Sequence, residues 1–156
     1  MQRLQASQQP KHESDTLGHN TSDTEAVNIT LLRSLRNQSA RLTLIYQGRT
    51  TEFTPGPHVL MIGRSRDCDI VLKDRHSSRK HARVVCRKGK FVLIDHSTNG
   101  SFISMNGLAE ICLVEQDQLL LTGSGVIGLG RSTAGDQDQL IHFSCHYASQ
   151  GDDPSE

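Results

Sequence analysis

Short apolar runs separated by polar, glycine-containing segments fill the chain from Arg41 onward, and this pattern constrains the fold more than any other feature. Each run has the usual length of a β-strand, and no long stretch of helical periodicity lies between them. Within RLTLIY, Leu42, Leu44 and Tyr46 fall on one face, as in a half-buried strand. The runs are RLTLIY, TTEFT, HVLMIG, DIVL, ARVVCR, KFVLID, QLLLT, VIGLG and LIHFSCHY. We therefore predict an all-β fold, an antiparallel β-sandwich of about 11 strands.

The predicted strands place a single domain over residues 41–147. Residues 1–40 are mostly polar and poor in large apolar side chains, so we predict a flexible N-terminal tail. A short helix is predicted within it over 25–37, because Val27, Leu31 and Leu35 recur at every fourth position. Residues 148–156 are predicted to form a disordered C-terminal tail.

Composition excludes several classes of protein. Seventeen basic and seventeen acidic residues cancel, so the chain has no broad field that would hold nucleic acid or a membrane surface. It has no apolar run of about 20 residues and no apolar signal segment near its start, so we expect a cytoplasmic protein. The four cysteines form no CxxC pair and the eight histidines no HExxH motif, which predicts reduced thiols, no metal and no cofactor.

The stretch DRHSSRKHARV, residues 74–84, contains four cations but only one carboxylate, Asp74. It fits three interpretations: a solvated charged loop, a catalytic pair of Ser78 and His81, or a docking site for an anion. A catalytic pair is disfavoured, because no GxSxG turn surrounds Ser78 and no third group is evident to orient the imidazole. We predict that the protein is not an enzyme.

GSGVIG, residues 123–128, matches the dinucleotide-binding pattern GxGxxG. That pattern functions at the start of a helix, with an acidic residue about 20 positions later. Here a loop, LGRSTAGDQDQ, comes next. We predict that these glycines shape a turn into the strand VIGLG and bind no nucleotide.

Four polar insertions occur in a fixed order between the predicted strands. They are Gly63-Arg64, Ser78-Arg79-Lys80-His81, Ser97-Thr98-Asn99-Gly100-Ser101-Phe102 and Asn106-Gly107. In this order they resemble the forkhead-associated (FHA) domain family, whose members read phosphothreonine peptides. The resemblance runs from about Arg41 to Tyr147 and implies the sandwich predicted independently from the strand pattern. Two positions depart from the family pattern: Ser101, where threonine is usual, and Ser77, where a β-branched apolar residue is usual.

The resemblance implies a role for each residue of the predicted site. Arg64, Ser78 and Arg79 would hold the phosphate, since a guanidinium fork, a hydroxyl and a second cation suit its acceptor oxygens. Asn99 and Thr98 would bind the peptide beside the phosphorylated residue. Structural support of the site is expected from Gly63, His81, Gly100, Asn106 and Gly107, with His81 bracing the loop by hydrogen bonds to neighbouring backbone.

The predicted function is a phosphothreonine-dependent protein-protein interaction module, acting as a signalling adaptor or regulatory domain downstream of a Ser/Thr kinase. Its expected partner is a phosphothreonine-containing protein, and neither nucleic acid nor membrane is expected to bind. Two alternatives stay open. One is an interaction or oligomerisation module that does not depend on phosphorylation, and the other is a regulatory fragment of a larger enzyme such as a nucleotide cyclase.

Overall fold

The computed structural model describes residues 29–32 and 40–147 of the chain. Residues 29–32 belong to a separate unit and are helical. The remaining residues of the predicted helix and tails lie outside the described residues, apart from Ala40. Residues 40–147 contain β1 (Arg41–Tyr46), β2 (Arg49–Phe53), β3 (Leu60–Gly63), β4 (Ile70–Val71), β5 (Ala82–Arg87), β6 (Lys90–Asp95), β7 (Ser101–Met105), β8 (Ile111–Leu113), β9 (Gln118–Leu120), β10 (Ser124–Leu129) and β11 (Ile141–His146), with a 3-10 turn at Gln137–Gln139.

The strands form two sheets, which confirms the predicted sandwich. One sheet has six strands in the order β2-β1-β11-β10-β7-β8, and the other has five in the order β4-β3-β5-β6-β9. The prediction of purely antiparallel pairing is corrected at one place, because β4 pairs with β3 in parallel. The loop after β3 turns back so that Asp69 accepts a hydrogen bond from the Met61 amide at 2.8 Å and donates its own amide to the Met61 carbonyl. The chain then continues in the direction of β3.

The core lies between the two sheets and follows the alternation of the strands. Leu42, Leu44 and Tyr46 of β1 are buried on one face, as predicted. Phe91 at the start of β6 is fully buried and stacks on Tyr147, with ring centroids 5.5 Å apart. Burial of each such side chain contributes about 1.5–3 kcal/mol to the free energy of folding relative to an exposed one. The core therefore holds the two sheets together.

Two strands of the six-stranded sheet were not assigned from the sequence. β7 and β8 contain the segments SFISM and ICL, and β7 pairs with the inner strand β10. The GSGVIG segment lies largely on β10 itself, which begins at Ser124 rather than at the predicted Val126. A Cβ on Gly125 would lie 2.2 Å from the Ser104 carbonyl oxygen. Glycine at this position therefore permits the close contact between β10 and β7.

The loops at the two ends of the sandwich differ in length. β5 and β6 are joined by the two-residue turn Lys88–Gly89, as the hairpin pattern predicts. Both of its residues have positive φ, 53° and 77°, which is the type I′ geometry that suits twisted strands. At the opposite end, the loops after β3, β4 and β6 carry the first three polar insertions.

The four cysteines are free thiols, with Cys68 buried and Cys112 exposed. Within residues 29–32 and 40–147, no helix has the length and apolar character needed to cross a membrane.

Candidate functional site

Close backbone contact joins the loop after β3 to the loop before β5. The Arg64 amide donates to the Ser78 carbonyl and the Ser65 amide to the Arg79 carbonyl, both at 3.0 Å. A Cβ on Gly63 would lie 2.0 Å from the Arg79 carbonyl oxygen, closer than any side chain permits. Glycine at position 63 is therefore required by the close approach of the two backbones. This approach brings Arg64 beside residues 74–81, which we call the Ser78 loop.

The Arg64 side chain is exposed and anchored at one point. Its Nε donates to the Ser77 carbonyl at 2.7 Å. Among residues 40–147 no carboxylate forms an ion pair with it. The terminal guanidinium nitrogens are thus held in position while their donor capacity remains for a ligand.

His81 is fully buried beneath the loop and links two of its segments. The Ser78 amide donates to its Nδ1 at 2.9 Å, so Nδ1 is the acceptor and Nε2 carries the proton. Nε2 lies 2.9 Å from the Gly100 carbonyl and donates to it. Burial lowers the pKa of His81 and outweighs the opposing effects of the Gly100 bond and of Asp95, 3.9 Å away. His81 is therefore a neutral brace between the second and third insertions.

Both nitrogens of this imidazole are engaged by backbone groups, which leaves neither free for the Ser78 hydroxyl. The side-chain oxygen of Ser78 instead accepts a hydrogen bond from the Thr98 amide at 3.2 Å. The arrangement does not support a nucleophile and base at these two positions. A hydroxyl that accepts one bond still has its own hydrogen to donate to a bound anion.

The third insertion places Thr98 and Asn99 beside Ser78. Both side chains are exposed, and Asn99 Nδ2 donates to the His76 carbonyl at 3.0 Å. Arg79 is exposed as well, while its carbonyl accepts bonds from the Ser65 amide and the Cys68 thiol. The structure thus brings together Arg64, Ser78, Arg79, Thr98 and Asn99 around one short loop.

Asp95 was missed in the sequence, although it shapes the third insertion from the end of β6. This fully buried carboxylate accepts hydrogen bonds from the hydroxyls of Ser97 at 2.6 Å and Ser101 at 2.7 Å. The Ser97 hydroxyl in turn accepts from the Gly100 amide at 2.7 Å. Ser101 therefore supports the loop through its hydrogen bond to Asp95. The sequence feature that could have indicated this role of Asp95 is an acidic residue two positions before a serine.

Asn106 and Gly107 do not join this cluster. β7 runs from Ser101 to Met105, so the two residues lie at its far end, about 20 Å along the strand from Gly100. There Asn106 donates to the Thr122 hydroxyl and accepts from the Ser124 amide, both at 3.1 Å. The contacts of Asn106 stabilise the connection to β10 rather than the site.

The one carboxylate of DRHSSRKHARV, Asp74, is buried and paired with Arg131. The Arg131 guanidinium lowers the pKa of Asp74 strongly, and hydrogen bonds from His76 act in the same direction. Asp74 is therefore ionised, but its charge is matched by a cation from another loop. The exposed cations Arg75, Arg79 and Lys80 are left without an opposing charge in their own loop.

Comparison with known proteins agrees with this architecture. Residues 60–122 match the family model of the FHA domain. No curated protein sequence matches the chain. An FHA domain structure from work on phosphothreonine-dependent FHA interactions is similar with 27% identity and a TM-score of 0.51, covering 68% of this chain and 97% of that one.

Two further structures are similar in fold. The FHA-1 domain of Mycobacterium tuberculosis Rv1747 has 21% identity and a TM-score of 0.52, covering 68% of this chain and 96% of that one. The MEK1 FHA domain, in complex with a phosphothreonine peptide of HOP1, has 21% identity and a TM-score of 0.51, covering 69% of this chain and 97% of that one.

Proposed function

Because this chain contains an FHA domain, as its four motifs predicted, we propose that it is a phosphothreonine-dependent protein-interaction module. One observation carries the proposal. The loop of residues 74–81 accepts side-chain hydrogen bonds from both Arg64 and Asn99, and it supplies the Ser78 hydroxyl between them. Side chains from two other loops are therefore attached to this one loop, which supports a shared anion site there.

A phosphate fits this arrangement by charge and by hydrogen bonding. Phosphothreonine carries nearly two negative charges at neutral pH and three acceptor oxygens. Arg64 offers its terminal guanidinium nitrogens, Ser78 its hydroxyl hydrogen and Arg79 a second cation. Each charge-assisted hydrogen bond contributes about 1.5–3 kcal/mol, so the loss of the phosphate removes most of the binding free energy of a micromolar complex.

The peptide backbone would be bound by the third insertion. The Asn99 amide is fixed by its bond to the His76 carbonyl, which leaves its oxygen and its second amide hydrogen for a ligand. A side chain that can donate and accept at once suits a peptide group, which does the same. Thr98, whose amide is held by Ser78, would line the same path.

In this proposal the protein acts as a non-enzymatic adaptor or regulatory domain in the cytoplasm, downstream of a Ser/Thr kinase. The kinase would phosphorylate a threonine of the partner, and this domain would bind the resulting phosphothreonine. The class of partner is supported by one solved FHA domain from work on phosphothreonine-dependent interactions and by another in complex with a phosphothreonine peptide.

The proposal is tested by binding to an oriented library of phosphothreonine peptides, followed by titration calorimetry on the selected sequence. Micromolar binding is expected, together with at least about a tenfold loss of affinity in Arg64→Ala and in Ser78→Ala. Arg87→Ala is a matched control, because Arg87 also makes one side-chain hydrogen bond, to Gln118 at 2.7 Å, at the far end of β5.

The same titration with the unphosphorylated peptide separates the alternatives. A selected peptide that bound equally well without its phosphate would overturn the proposal and favour an interaction module independent of phosphorylation. If both Arg64→Ala and Ser78→Ala kept the affinity of the parent domain, the peptide would bind elsewhere on the domain.

A further inference from the structure

A partly buried ion pair joins the segment after β10 to the loop of residues 74–81. Arg131, in the segment after β10, donates from Nε to one Asp74 oxygen and from Nη2 to the other, the latter at 3.0 Å. The Asp74 side chain is 7% exposed and that of Arg131 26%, so water screens the pair only partly. The two residues are 57 positions apart in sequence, and the pair joins the segment after β10 to the Ser78 loop.

Asp74 also sets the shape of the turn that follows it. Its carbonyl accepts the Ser77 hydroxyl at 2.6 Å and the Ser77 amide at 3.1 Å, and its carboxylate accepts the His76 amide at 3.0 Å. The imidazole Nδ1 of His76 lies 3.0 Å from both the Asp74 carboxylate and Arg131 Nη2. The carbonyl and the carboxylate of Asp74 therefore both hold the turn of His76 and Ser77 in place.

Those two residues supply the carbonyls on which the exposed site residues depend. The His76 carbonyl accepts from Asn99 Nδ2 at 3.0 Å, and the Ser77 carbonyl accepts from Arg64 Nε at 2.7 Å. A change in the turn would move both carbonyls and, with them, the side chains that they orient.

Gly130 provides an independent contact between the same two segments. It has a φ of 87°, and a Cβ at this position would lie 2.1 Å from the His76 carbonyl oxygen. Its amide donates to the Gly100 carbonyl at 2.9 Å, next to Asn99. The segment after β10 therefore packs closely against the His76 carbonyl, because glycine at position 130 permits the contact and the ion pair holds the two segments together.

We propose that Asp74 and Arg131 are positioning residues of the peptide site, acting through the His76 and Ser77 carbonyls on Asn99 and Arg64. The role rests on the proposed phosphopeptide function, but the positioning itself can be measured without any ligand. Neither residue needs to touch the peptide, and Arg131 lies outside all four motifs.

The test combines solution NMR of the free domain with phosphopeptide titration. In Arg131→Ala, the Arg64 Nε–H and Asn99 side-chain amide resonances are expected to shift and to exchange faster with water, because their acceptors are no longer fixed. Affinity for the selected phosphopeptide is expected to fall about tenfold. Arg131→Lys keeps the charge without the planar fork and is expected to recover part of both effects.

Arg87→Ala serves again as control and should change neither resonance. If Arg131→Ala does not fold because Asp74 is left unpaired, the double variant Asp74→Asn/Arg131→Gln removes both charges and allows the same comparison. Unchanged Arg64 and Asn99 resonances in a folded variant would overturn the proposal, as would an affinity within about twofold of the parent domain.

A parent domain that binds no phosphopeptide would overturn the proposed function instead. The free-domain resonances would still decide whether the ion pair positions Arg64 and Asn99.

Discussion

The two ends of the sandwich are built in different ways. At the far end, Lys88–Gly89 and Asn106–Gly107 are tight turns in which both residues have positive φ, and the hydrogen bonds that close the turns join residues close in sequence. The Asn106 side chain is also bonded to the Thr122 hydroxyl and the Ser124 amide, but the Lys88–Gly89 turn is closed by neighbouring residues alone. At the site end, the Ser78 loop depends on partners 13, 20, 23 and 57 positions away: Arg64, Thr98, Asn99 and Arg131. The Lys88–Gly89 turn is thus specified locally, whereas the site exists only when the whole fold is in place.

This difference has a functional reason. A turn that merely reverses the chain needs only suitable backbone angles, which glycine and asparagine provide. A binding site needs several donors fixed before the ligand arrives, because side chains that are ordered during binding subtract from the affinity. Long-range hydrogen bonds and the buried His81 supply that order here.

The largest effect at the site end is expected for Gly63→Ala. The new methyl group would lie 2.0 Å from the Arg79 carbonyl, so the two loops must separate. We expect about 3 kcal/mol of destabilisation, together with loss of phosphopeptide binding, as measured by chemical denaturation and calorimetry. Gly135→Ala is the control, because its Cβ would meet only the Ser132 carbonyl, at an ordinary 3.4 Å. A Gly63→Ala domain with parental stability and affinity would show that the loops tolerate separation.

A smaller and purely structural effect is expected at the far end for Gly107→Ala. Its φ of 73° is unfavourable for alanine, although a Cβ would meet nothing within 4 Å. The expected loss is about 1.5 kcal/mol in the unfolding free energy, with phosphopeptide affinity unchanged. Weaker phosphopeptide binding in this variant would show that the two ends are coupled.

The smallest effect concerns the response of stability to pH. Burial lowers the pKa of His81 in the folded domain, while in the unfolded chain it has its ordinary value of about 6.5. Its contribution is therefore complete above pH 6.5 and is lost as the pH falls towards the folded pKa, because only the unfolded chain takes up the proton.

We expect the unfolding free energy to decrease by about 1 kcal/mol per pH unit below 6.5, with His96, whose pKa burial also lowers, contributing in the same direction. His96→Gln should keep most of the slope and His81→Gln should flatten it. Nitrogen NMR of the parent provides a second measurement, in which neutral His81 carries its proton on Nε2 and titrates below its ordinary pKa. A His81 that titrates at or above its ordinary pKa would contradict the assignment.

Much of the fold could be predicted because its strands carry local signals. The alternation of Leu42 and Leu44 and the turn at Lys88–Gly89 each follow from a few adjacent residues. β7 was not assigned, because its polar residues Ser101 and Ser104 interrupt the apolar pattern that marks a strand. The parallel pairing of β3 with β4 could not be predicted either, since it depends on how one loop folds back.

The site was predictable to the extent that its residues belong to motifs. Arg64, Ser78 and Asn99 were found by family resemblance, and the structure places them around one loop. Arg131 was not found, because a single arginine in a polar loop has no distinguishing pattern. The available hint was Asp74, a lone carboxylate among cations, which called for a partner from elsewhere in the chain.

The outer strands of both sheets are short: β2, β8, β4 and β9 contain five, three, two and three residues. Exposed strand edges are the usual templates on which identical chains polymerise. With so little edge available, copies of this domain can come together at high local concentration without joining sheet to sheet into fibres.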